Sequence, residues 1–340
     1  MSMNVLIVRP DGIGDVLLSL PVATQLKRLM PGVTVGFLTS PTVASLLDRH
    51  PDVDYVRTIR LTDPFKELRL AFSRGIEAAI FLKPFRRLMW AAWAAGVPIR
   101  VATGYRWYSV LANRYIYEHR SEFSKHESEY NVEMLKGLGL RPQPVTPPVL
   151  TLTEDERAGG ASRWSVLPSP RVVVHPGGVS ARRWKLEHYR DLVMALTDNG
   201  YGVALTGSDQ ERAAFGGVAP EMPPSSGIVD LMGKLSLREL MSVIANAHVV
   251  VCGATGPAHL AAALGIPTVT LFDPRRNNLP VRWKPLGTGV LLRPDVPTCE
   301  KCIGEVCPHW DCLDRFTVAK VMSAIARVSE LPSALTVLHM

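Results

Sequence analysis

A chain of 340 residues exceeds the roughly 250–300 residues at which a single hydrophobic core stops growing, so its length predicts two domains. Its composition, 47% hydrophobic and 20% charged, is typical of a globular protein and excludes a disordered or fibrous chain. The net charge of +7 favours anionic partners, but no nucleic-acid recognition module accompanies it, so we expect no nucleic-acid partner.

The sequence contains no segment typical of a membrane span or a signal peptide. The longest apolar stretch near the middle of the chain, 88–99, is well short of the roughly 20 residues that cross a bilayer. The first nine residues lack the successive basic, apolar and small-residue regions of a signal peptide. We therefore expect a cytoplasmic protein without a transmembrane segment. Peripheral attachment at the inner face of the cytoplasmic membrane remains open.

In the first half of the chain, strand patterns alternate with helix patterns. The apolar run 4–9 predicts a central parallel strand buried on both faces. Helical spacing then continues to 29, and Pro21 is expected to kink or restart that helix. Further along, the pattern predicts a strand, a helix and a strand in turn, at 33–38, 41–50 and 53–59. Such alternation is typical of a doubly wound sheet.

The second half repeats this pattern after a polar connection at 153–170. Strands are predicted at 171–175, 201–206, 249–252 and 268–272. Helices are predicted at 188–199, 237–247 and 257–264. We therefore expect an α/β protein of two Rossmann-like domains facing a cleft, residues 1–155 and 168–315, followed by a helical segment at 316–340. Ligands should bind at the carboxyl ends of the strands.

The first strand runs into a loop, 9–15, whose letters are RPDGIGD. Gly12 and Gly14 allow close approach to the backbone, and Asp15 comes in the first turn of the next helix. Spacing alone fits a catalytic carboxylate and equally fits one that only complements the helix dipole.

A stronger pattern lies at 251–259, VCGATGPAH, where a strand and a glycine-bracketed turn precede a helix that Pro257 opens. Free backbone amides at a helix start form an anion site without any side-chain charge. The alternatives are a purely structural glycine turn and, for His259, an ordinary core histidine.

A basic loop follows the strand 171–175. After Gly177 and Gly178 it carries Arg182, Arg183 and Lys185. Guanidinium and ammonium groups form charge-assisted hydrogen bonds with phosphate oxygens, so this loop suits a diphosphate.

Several motifs in order along the chain resemble those of glycosyltransferase family 9, the heptosyltransferases of lipopolysaccharide core synthesis. The resemblance runs nearly end to end and rests on these segments: VLIVRPDGIGDVLLSLP, HESEYNVEMLKGLGL, HPGG with RRWKLEHYRDL, LTGSDQER, DLMGKLSLRELMSVIANAHVVV, and ATGPAHLAAALGIPTVTLF followed by RW and PLG.

The resemblance implies a GT-B fold, with the acceptor on the N-terminal domain beside Gly12 and Gly14 and the nucleotide sugar on the C-terminal domain. It also implies an inverting transfer that needs no catalytic metal or cofactor. In the family, the aspartate at the position of Asp15 is the proposed general base.

The same resemblance assigns the donor side of the site. It implies that Arg183 or Lys185, together with the amides of Thr255 and Gly256, binds the leaving diphosphate. Other donor-binding positions are implied along the second domain: Gly177, Gly178, Ser208, Glu211, Lys234, Leu235, Pro257 and His259. Of these, Ser208 and Glu211 match the nucleoside-binding region, and Lys234 and Leu235 match the segment that contacts the base.

The implied reaction moves heptose from ADP-heptose onto an anionic glycolipid of the lipopolysaccharide-core type at the inner membrane surface. The region 83–120, dense in arginine and aromatic residues, is either an ordinary solvated face or a surface for such a glycolipid.

One position departs from the family. The turn reads Gly253-Ala254-Thr255-Gly256, where the family has an aspartate at the position of Ala254. The donor sugar is therefore open. Two alternatives remain: a family 9 transferase that uses another nucleotide sugar, and a sugar-nucleotide-binding protein of the same fold without transfer activity.

Four of the five cysteines are grouped near the C-terminus, at Cys299, Cys302, Cys307 and Cys312. Closely spaced thiols in a cytosolic chain favour a metal over disulfides, although only the first pair has the short spacing of a zinc site. A structural zinc ion, an iron–sulfur centre and plain reduced thiols therefore all remain open.

Overall fold

The computed structural model describes residues 3–73, 75–178, 183–216, 227–328 and 337–339. The chain divides into two compact units, Met1–Leu150 and Thr151–Met340. Each unit is built on one parallel sheet with helices between the strands. Two doubly wound parallel sheets were predicted from the sequence, and this part of the prediction is confirmed.

The first unit contains six strands in the order β3-β2-β1-β4-β5-β6. The strands are β1 Asn4–Val8, β2 Thr34–Thr39, β3 Tyr55–Thr58, β4 Ala78–Phe81, β5 Ile99–Thr103 and β6 Arg114–Ile116. Strand β1 lies in the centre and pairs with β2 on one side and β4 on the other. The winding direction reverses between β1 and β4, which is where an open α/β sheet normally binds its ligand.

The helices of the first unit are α1 Ile13–Leu17, α2 Leu20–Leu29, α3 Phe65–Leu70, α4 Arg86–Ala94 and α5 Glu127–Glu133. Short 3-10 helices lie at Ala44–Leu47, Trp107–Leu111, Arg120–Glu122 and Met134–Leu138. The predicted restart near Pro21 is confirmed, because α1 ends at Leu17 and α2 begins three residues later. Pro21 lies in the first turn of α2, where a backbone amide is not needed.

The prediction of a helix at 41–50 is wrong. Only one 3-10 turn, Ala44–Leu47, forms there. The hydroxyls of Ser40 and Thr42 hydrogen-bond each other at 2.9 Å, as expected where short polar side chains compete with helix formation. Near the C-terminal end of the predicted helix, Arg49 has a φ of 59°, which a continuing helix cannot accommodate.

The second unit contains seven described strands in the order β13-β12-β11-β10-β7-β8-β9. They are β7 Arg171–His175, β8 Gly202–Leu205, β9 Ile228–Asp230, β10 Val249–Gly253, β11 Thr268–Leu271, β12 Gly289–Leu292 and β13 Val337–His339. Here the winding reverses between β7 and β10. The described loop residues after these two strands, 176–178, 183–185 and 254–255, therefore lie at the edge where a ligand is expected.

The helices of the second unit are α6 Glu154–Ser162, α7 Leu186–Asp198, α8 Asp209–Gly216, α9 Leu237–Ile244, α10 Gly256–Ala263, α11 Pro280–Trp283 and α12 Val318–Val328. Short 3-10 helices lie at Arg276–Asn278 and Gly304–Val306. None of the helices in the described part of the chain has the length and apolar character needed to cross a membrane.

Two segments differ from the sequence expectation. The polar connection at 153–170 contains helix α6, which Thr153 and Glu156 cap reciprocally with hydrogen bonds of 3.2 and 2.8 Å. The C-terminal segment 316–340 is helical only in part. It contains α12 and the strand β13, which pairs with β12, and residues 329–336 lie outside the described residues.

Helix α6 packs against α9 through a glycine. A Cβ at Gly160 would overlap the carbonyl oxygen of Ser242, whereas a Cβ at the neighbouring Gly159 would meet nothing within 4 Å. The two positions therefore have the same helical backbone but different surroundings.

We predict that Gly160→Ala lowers the free energy of unfolding by about 1–3 kcal/mol, because the backbone of α9 must move to admit the methyl group. Gly159→Ala is the matched control and should raise it by up to ~1 kcal/mol through helix propensity alone. Urea unfolding of the two variants measures the difference. Equal changes in both would contradict close packing of α6 on α9.

Candidate active site

The loop after β1 is organised around the buried side chain of Arg9, which is 2% exposed. Its guanidinium forms ion pairs with Asp11 at 2.9 Å, with Glu127 at 3.2 Å and with Asp15. Burial works to lower the pKa of Arg9, but these surrounding carboxylates raise it above its ordinary value. Arg9 is therefore a permanently charged group that fixes the position of Asp15.

Asp15 lies in the first turn of α1, directly after the carboxyl end of the central strand. Its Oδ1 atom accepts a hydrogen bond from Arg9, and among the described residues Oδ2 has no hydrogen-bond partner. The side chain is 29% exposed, so a small molecule can reach it. Gly12 is the N-cap of α1, and a Cβ there would face Oδ2 at 3.9 Å. Gly14 follows within the same turn.

Helix α5 supports the turn that carries Asp15. Glu127, 1% exposed, pairs with Arg9 and also with Arg120. Asn131 donates to the carbonyl oxygen of Leu18 at 3.0 Å and to the hydroxyl of Ser19 at 3.3 Å. Both acceptors lie in the break between α1 and α2. The HESEYN segment thus contributes packing and charge around the loop.

The sequence analysis did not assign these supporting residues to the site. The HESEYN motif was noted only as a family feature, and nothing in its spacing shows which residues contact Arg9, more than a hundred positions earlier.

In the second unit, Glu211 joins the loops that follow β7 and β8. Its Oε1 atom accepts the amide of Gly178 at 2.7 Å, and its Oε2 atom accepts the amide and hydroxyl of Ser208 at 2.8 and 3.0 Å. A Cβ at Gly177 would overlap the same carboxylate. Gly177 therefore leaves room for the side chain that holds the two loops together.

His175 completes this cluster, and it was missed at the sequence level. It ends β7, is 7% exposed and lies 3.8 Å from Glu211 and 3.0 Å from the hydroxyl of Thr206. Burial lowers the pKa of His175, although the facing carboxylate of Glu211 works to raise it. Burial works to raise the pKa of Glu211, but hydrogen bonds from Ser208, the facing His175 and the Gly178 amide lower it.

The turn after β10 meets the same cluster. Gly178 has a φ of 148°, and a Cβ there would lie 2.7 Å from the methyl of Thr255, so the two loops are in contact. Thr255 is the N-cap of α10, but its amide is bonded to the carbonyl oxygen of Gly253 at 2.8 Å. Pro257 has no amide proton, which leaves the amide of Gly256 as the donor at this helix start.

The predicted cations differ in their surroundings. Arg183 is exposed at the start of a described segment, whereas Arg182 lies outside the described residues. Lys185 forms an ion pair with Asp314 at 2.9 Å and lies 5.6 Å from the ring of Trp310. Both described cations are exposed, but the ammonium of Lys185 is already engaged by Asp314.

The remaining donor-side residues lie in different surroundings. Lys234 follows β9 and donates to the carbonyl oxygen of Asp230 at 2.7 Å, and the neighbouring Leu235 is half-buried. His259 is 6% exposed within α10. Its burial fits the core alternative considered from the sequence.

Ala254 has apolar surroundings. It is 9% exposed and packs in a cluster with Phe272 and Leu291, against which Trp283 also lies. A carboxylate at this position would have to be buried beside these side chains, which is unfavourable without a partner.

The four C-terminal cysteines lie in different surroundings. Cys302 is exposed, Cys299 and Cys307 are half-buried, and Cys312 belongs to the core of the second unit. Within the described ranges, no three side chains of His, Cys, Asp or Glu are arranged to hold a metal ion. The zinc and iron–sulfur interpretations therefore stay predictions.

Comparison with known proteins identifies relatives of this chain. The family model described as glycosyltransferase family 9 (heptosyltransferase) matches residues 80–308. Lipopolysaccharide heptosyltransferase 1 of Escherichia coli K12 is 26% identical over 297 residues, which is 80% of this chain and 88% of the relative. Lipooligosaccharide heptosyltransferase 2 of Haemophilus influenzae is 26% identical over 295 residues, 80% of this chain and 84% of the relative.

Solved structures share the fold. A family 9 glycosyl transferase from Veillonella parvula has a TM-score of 0.80 at 17% identity, covering 96% of this chain and 97% of its own. E. coli ADP-heptose lipopolysaccharide heptosyltransferase II has a TM-score of 0.78 at 22% identity, covering 96% and 98%. The predicted GT-B fold class is confirmed.

We predict that Glu127→Gln lowers the free energy of unfolding by about 1–3 kcal/mol, because it leaves two arginines with less compensating charge in a buried site. The matched control on the same helix is Glu133→Gln. Glu133 pairs with the exposed Lys136, so its loss should cost less than about 1 kcal/mol. Equal losses in denaturant titrations would mean that the buried cluster contributes no more than a surface pair.

Proposed function

Since the chain belongs to glycosyltransferase family 9, and is therefore a glycosyltransferase, we propose that it transfers heptose from ADP-heptose to a glycolipid of the lipopolysaccharide-core type. The relatives named as lipopolysaccharide heptosyltransferases support the choice of donor and acceptor. The single observation that carries the proposal is Asp15, a partly exposed carboxylate that is held through one oxygen at the carboxyl end of β1.

In the proposed reaction, an acceptor hydroxyl attacks the anomeric carbon of the donor sugar. The bond from this carbon to the diphosphate oxygen breaks, and the hydroxyl proton passes to Oδ2 of Asp15. The two electrons of the broken bond leave with ADP. A single displacement of this kind inverts the anomeric configuration and requires no metal or cofactor to balance it.

On the donor side, the charge that develops on the diphosphate requires cationic and amide donors. We assign this role to Arg183 and to the amide of Gly256. Lys185 would contribute only after leaving Asp314. Glu211 accepts hydrogen bonds from both loops and so sets the position of Gly177, Gly178 and Ser208.

A second candidate keeps the reaction but changes the sugar. The apolar surroundings of Ala254 favour this second candidate. A donor sugar whose hydroxyl needs a charged hydrogen-bond acceptor would meet only the methyl group of Ala254 there. A panel of nucleotide sugars, followed by release of the nucleoside diphosphate and mass analysis of the acceptor, separates the two candidates. Turnover with ADP-heptose supports heptosyl transfer, and turnover only with another sugar overturns it.

We predict that Asp15→Asn lowers turnover at least about a hundredfold while donor affinity changes little, because the amide cannot accept the acceptor proton. Asp48→Asn, at an exposed carboxylate of the same unit, serves as the control and should retain full turnover. Turnover is followed by ADP release and donor affinity by calorimetry. If Asp15→Asn works at the normal rate, Asp15 is not the base.

We predict that Arg183→Ala weakens donor binding more than Lys185→Ala does. A guanidinium grips two phosphate oxygens at once, whereas the Lys185 ammonium is already paired with Asp314. The expected loss for Arg183→Ala is about tenfold or more in affinity, since a hydrogen bond to a charged group contributes about 1.5–3 kcal/mol. The reverse order in titrations with ADP would show that the basic loop is assigned wrongly.

A further inference from the structure

Helix α4 has apolar side chains on both faces. Its inner face, formed by Leu88, Met89, Ala91 and Ala92, is buried in the first unit. Its outer face carries Trp90 and Trp93, which remain 52% and 54% exposed. The Trp90 ring packs on the Phe65 ring of α3 with 5.1 Å between centroids, yet both tryptophans keep about half of their surface exposed.

The exposed surface continues onto the 3-10 helix Trp107–Leu111. Trp107 and Val110 are 76% and 75% exposed, and side chains three residues apart in such a helix lie on the same face. The Arg86 guanidinium lies 5.8 Å from the Trp107 ring, which links this helix to α4. We call this surface the aromatic patch; its members are Arg86, Trp90, Trp93, Trp107 and Val110.

The chain segment that carries the aromatic patch has basic residues and no acidic ones. Residues 78–117 contain no Asp or Glu, and six basic residues: Lys83, Arg86, Arg87, Arg100, Arg106 and Arg114. Arg87 and Arg100 donate to backbone carbonyl oxygens, which leaves their positive charge uncompensated. Helix α3, packed against α4, adds Glu67 but also Lys66 and Arg69. The patch is therefore apolar at its centre and basic around it.

We propose that the aromatic patch docks on the surface of an anionic phospholipid bilayer. Tryptophan favours the boundary between acyl chains and headgroups, and nearby arginine and lysine side chains are attracted to anionic lipids. A second copy of the chain fits less well, because a symmetric contact would bring the same uncompensated cations together. The proposal rests on the proposed function for its purpose, namely to hold the enzyme where a lipid-linked acceptor lies.

The patch begins at the same edge of the sheet as Asp15. Helix α4 follows the carboxyl end of β4, the strand next to β1. In the loop between β4 and α4, Lys83 forms an ion pair with Asp11 at 2.9 Å and so ties this loop to the one that carries Asp15. A bilayer seated on the patch therefore presents its headgroups beside the catalytic loop of the first unit.

The test is sedimentation of the full chain with vesicles of phosphatidylcholine, alone or with a third of phosphatidylglycerol. The wild type should bind the anionic vesicles at least about tenfold more tightly, and added salt should weaken the binding. The variant W90A/W93A/W107A, and separately R86E/R106E, should each lose about tenfold or more in affinity. Thermal melting checks that these exposed substitutions leave the fold intact.

Two matched controls lie in the second unit. Val166→Ala removes an apolar side chain that is 85% exposed, and Arg157→Glu reverses an exposed charge on α6. Both should bind vesicles like the wild type. Equal vesicle binding by the wild type and the triple tryptophan variant overturns the proposal. A wild-type dimer in solution that the triple variant loses also overturns it, because the patch would then be a protein interface.

Failure of the proposed function gives a different result. With a lipid-free core oligosaccharide as acceptor, the patch variants should transfer sugar at the wild-type rate, because this acceptor needs no membrane. If the wild type binds anionic vesicles through the patch but transfers heptose to no acceptor, the docking surface stands and the proposed reaction fails.

Discussion

The arrangement of the first unit depends on the buried charge of Arg9. A guanidinium removed from water costs several kcal/mol unless carboxylates compensate it, and here the compensation comes from Asp11, Asp15 and Glu127. To supply it, the β1–α1 loop and helix α5 must keep fixed positions. The orientation of Asp15 follows from this requirement, since one of its oxygens is committed to Arg9 and the other faces outward.

The second unit uses a half-buried carboxylate in a comparable way. Glu211 accepts amide hydrogen bonds from Gly178 and Ser208 and faces His175, so one carboxylate joins loops from two strands. Backbone amides satisfied by a carboxylate hold a loop more firmly than water would. In both units, therefore, a charged group behind the carboxyl edge of the sheet sets the shape of the loops at that edge.

Local patterns predicted much of this fold, while distant partners escaped prediction. The apolar runs of β1, β7 and β10 and the restart at Pro21 follow from spacing and backbone chemistry. Helix α6 was missed although Thr153 and Glu156 form a visible capping box. The ion pair of Arg9 with Glu127 was not predicted because the two residues are 118 positions apart. The pairing of Lys185 with Asp314 is equally non-local. Local periodicity contains no information about such pairs.

The most direct test of the account is the anomeric configuration of the product formed from ADP-heptose. Direct attack by the acceptor hydroxyl, with Asp15 taking the proton, predicts a single product whose configuration is opposite to that of the donor. Nuclear magnetic resonance of the purified product measures this. A product that keeps the donor configuration would contradict the account, because retention requires either two successive displacements through a covalent intermediate or attack on the face that the diphosphate leaves, and neither is the single displacement in which Asp15 acts as the base.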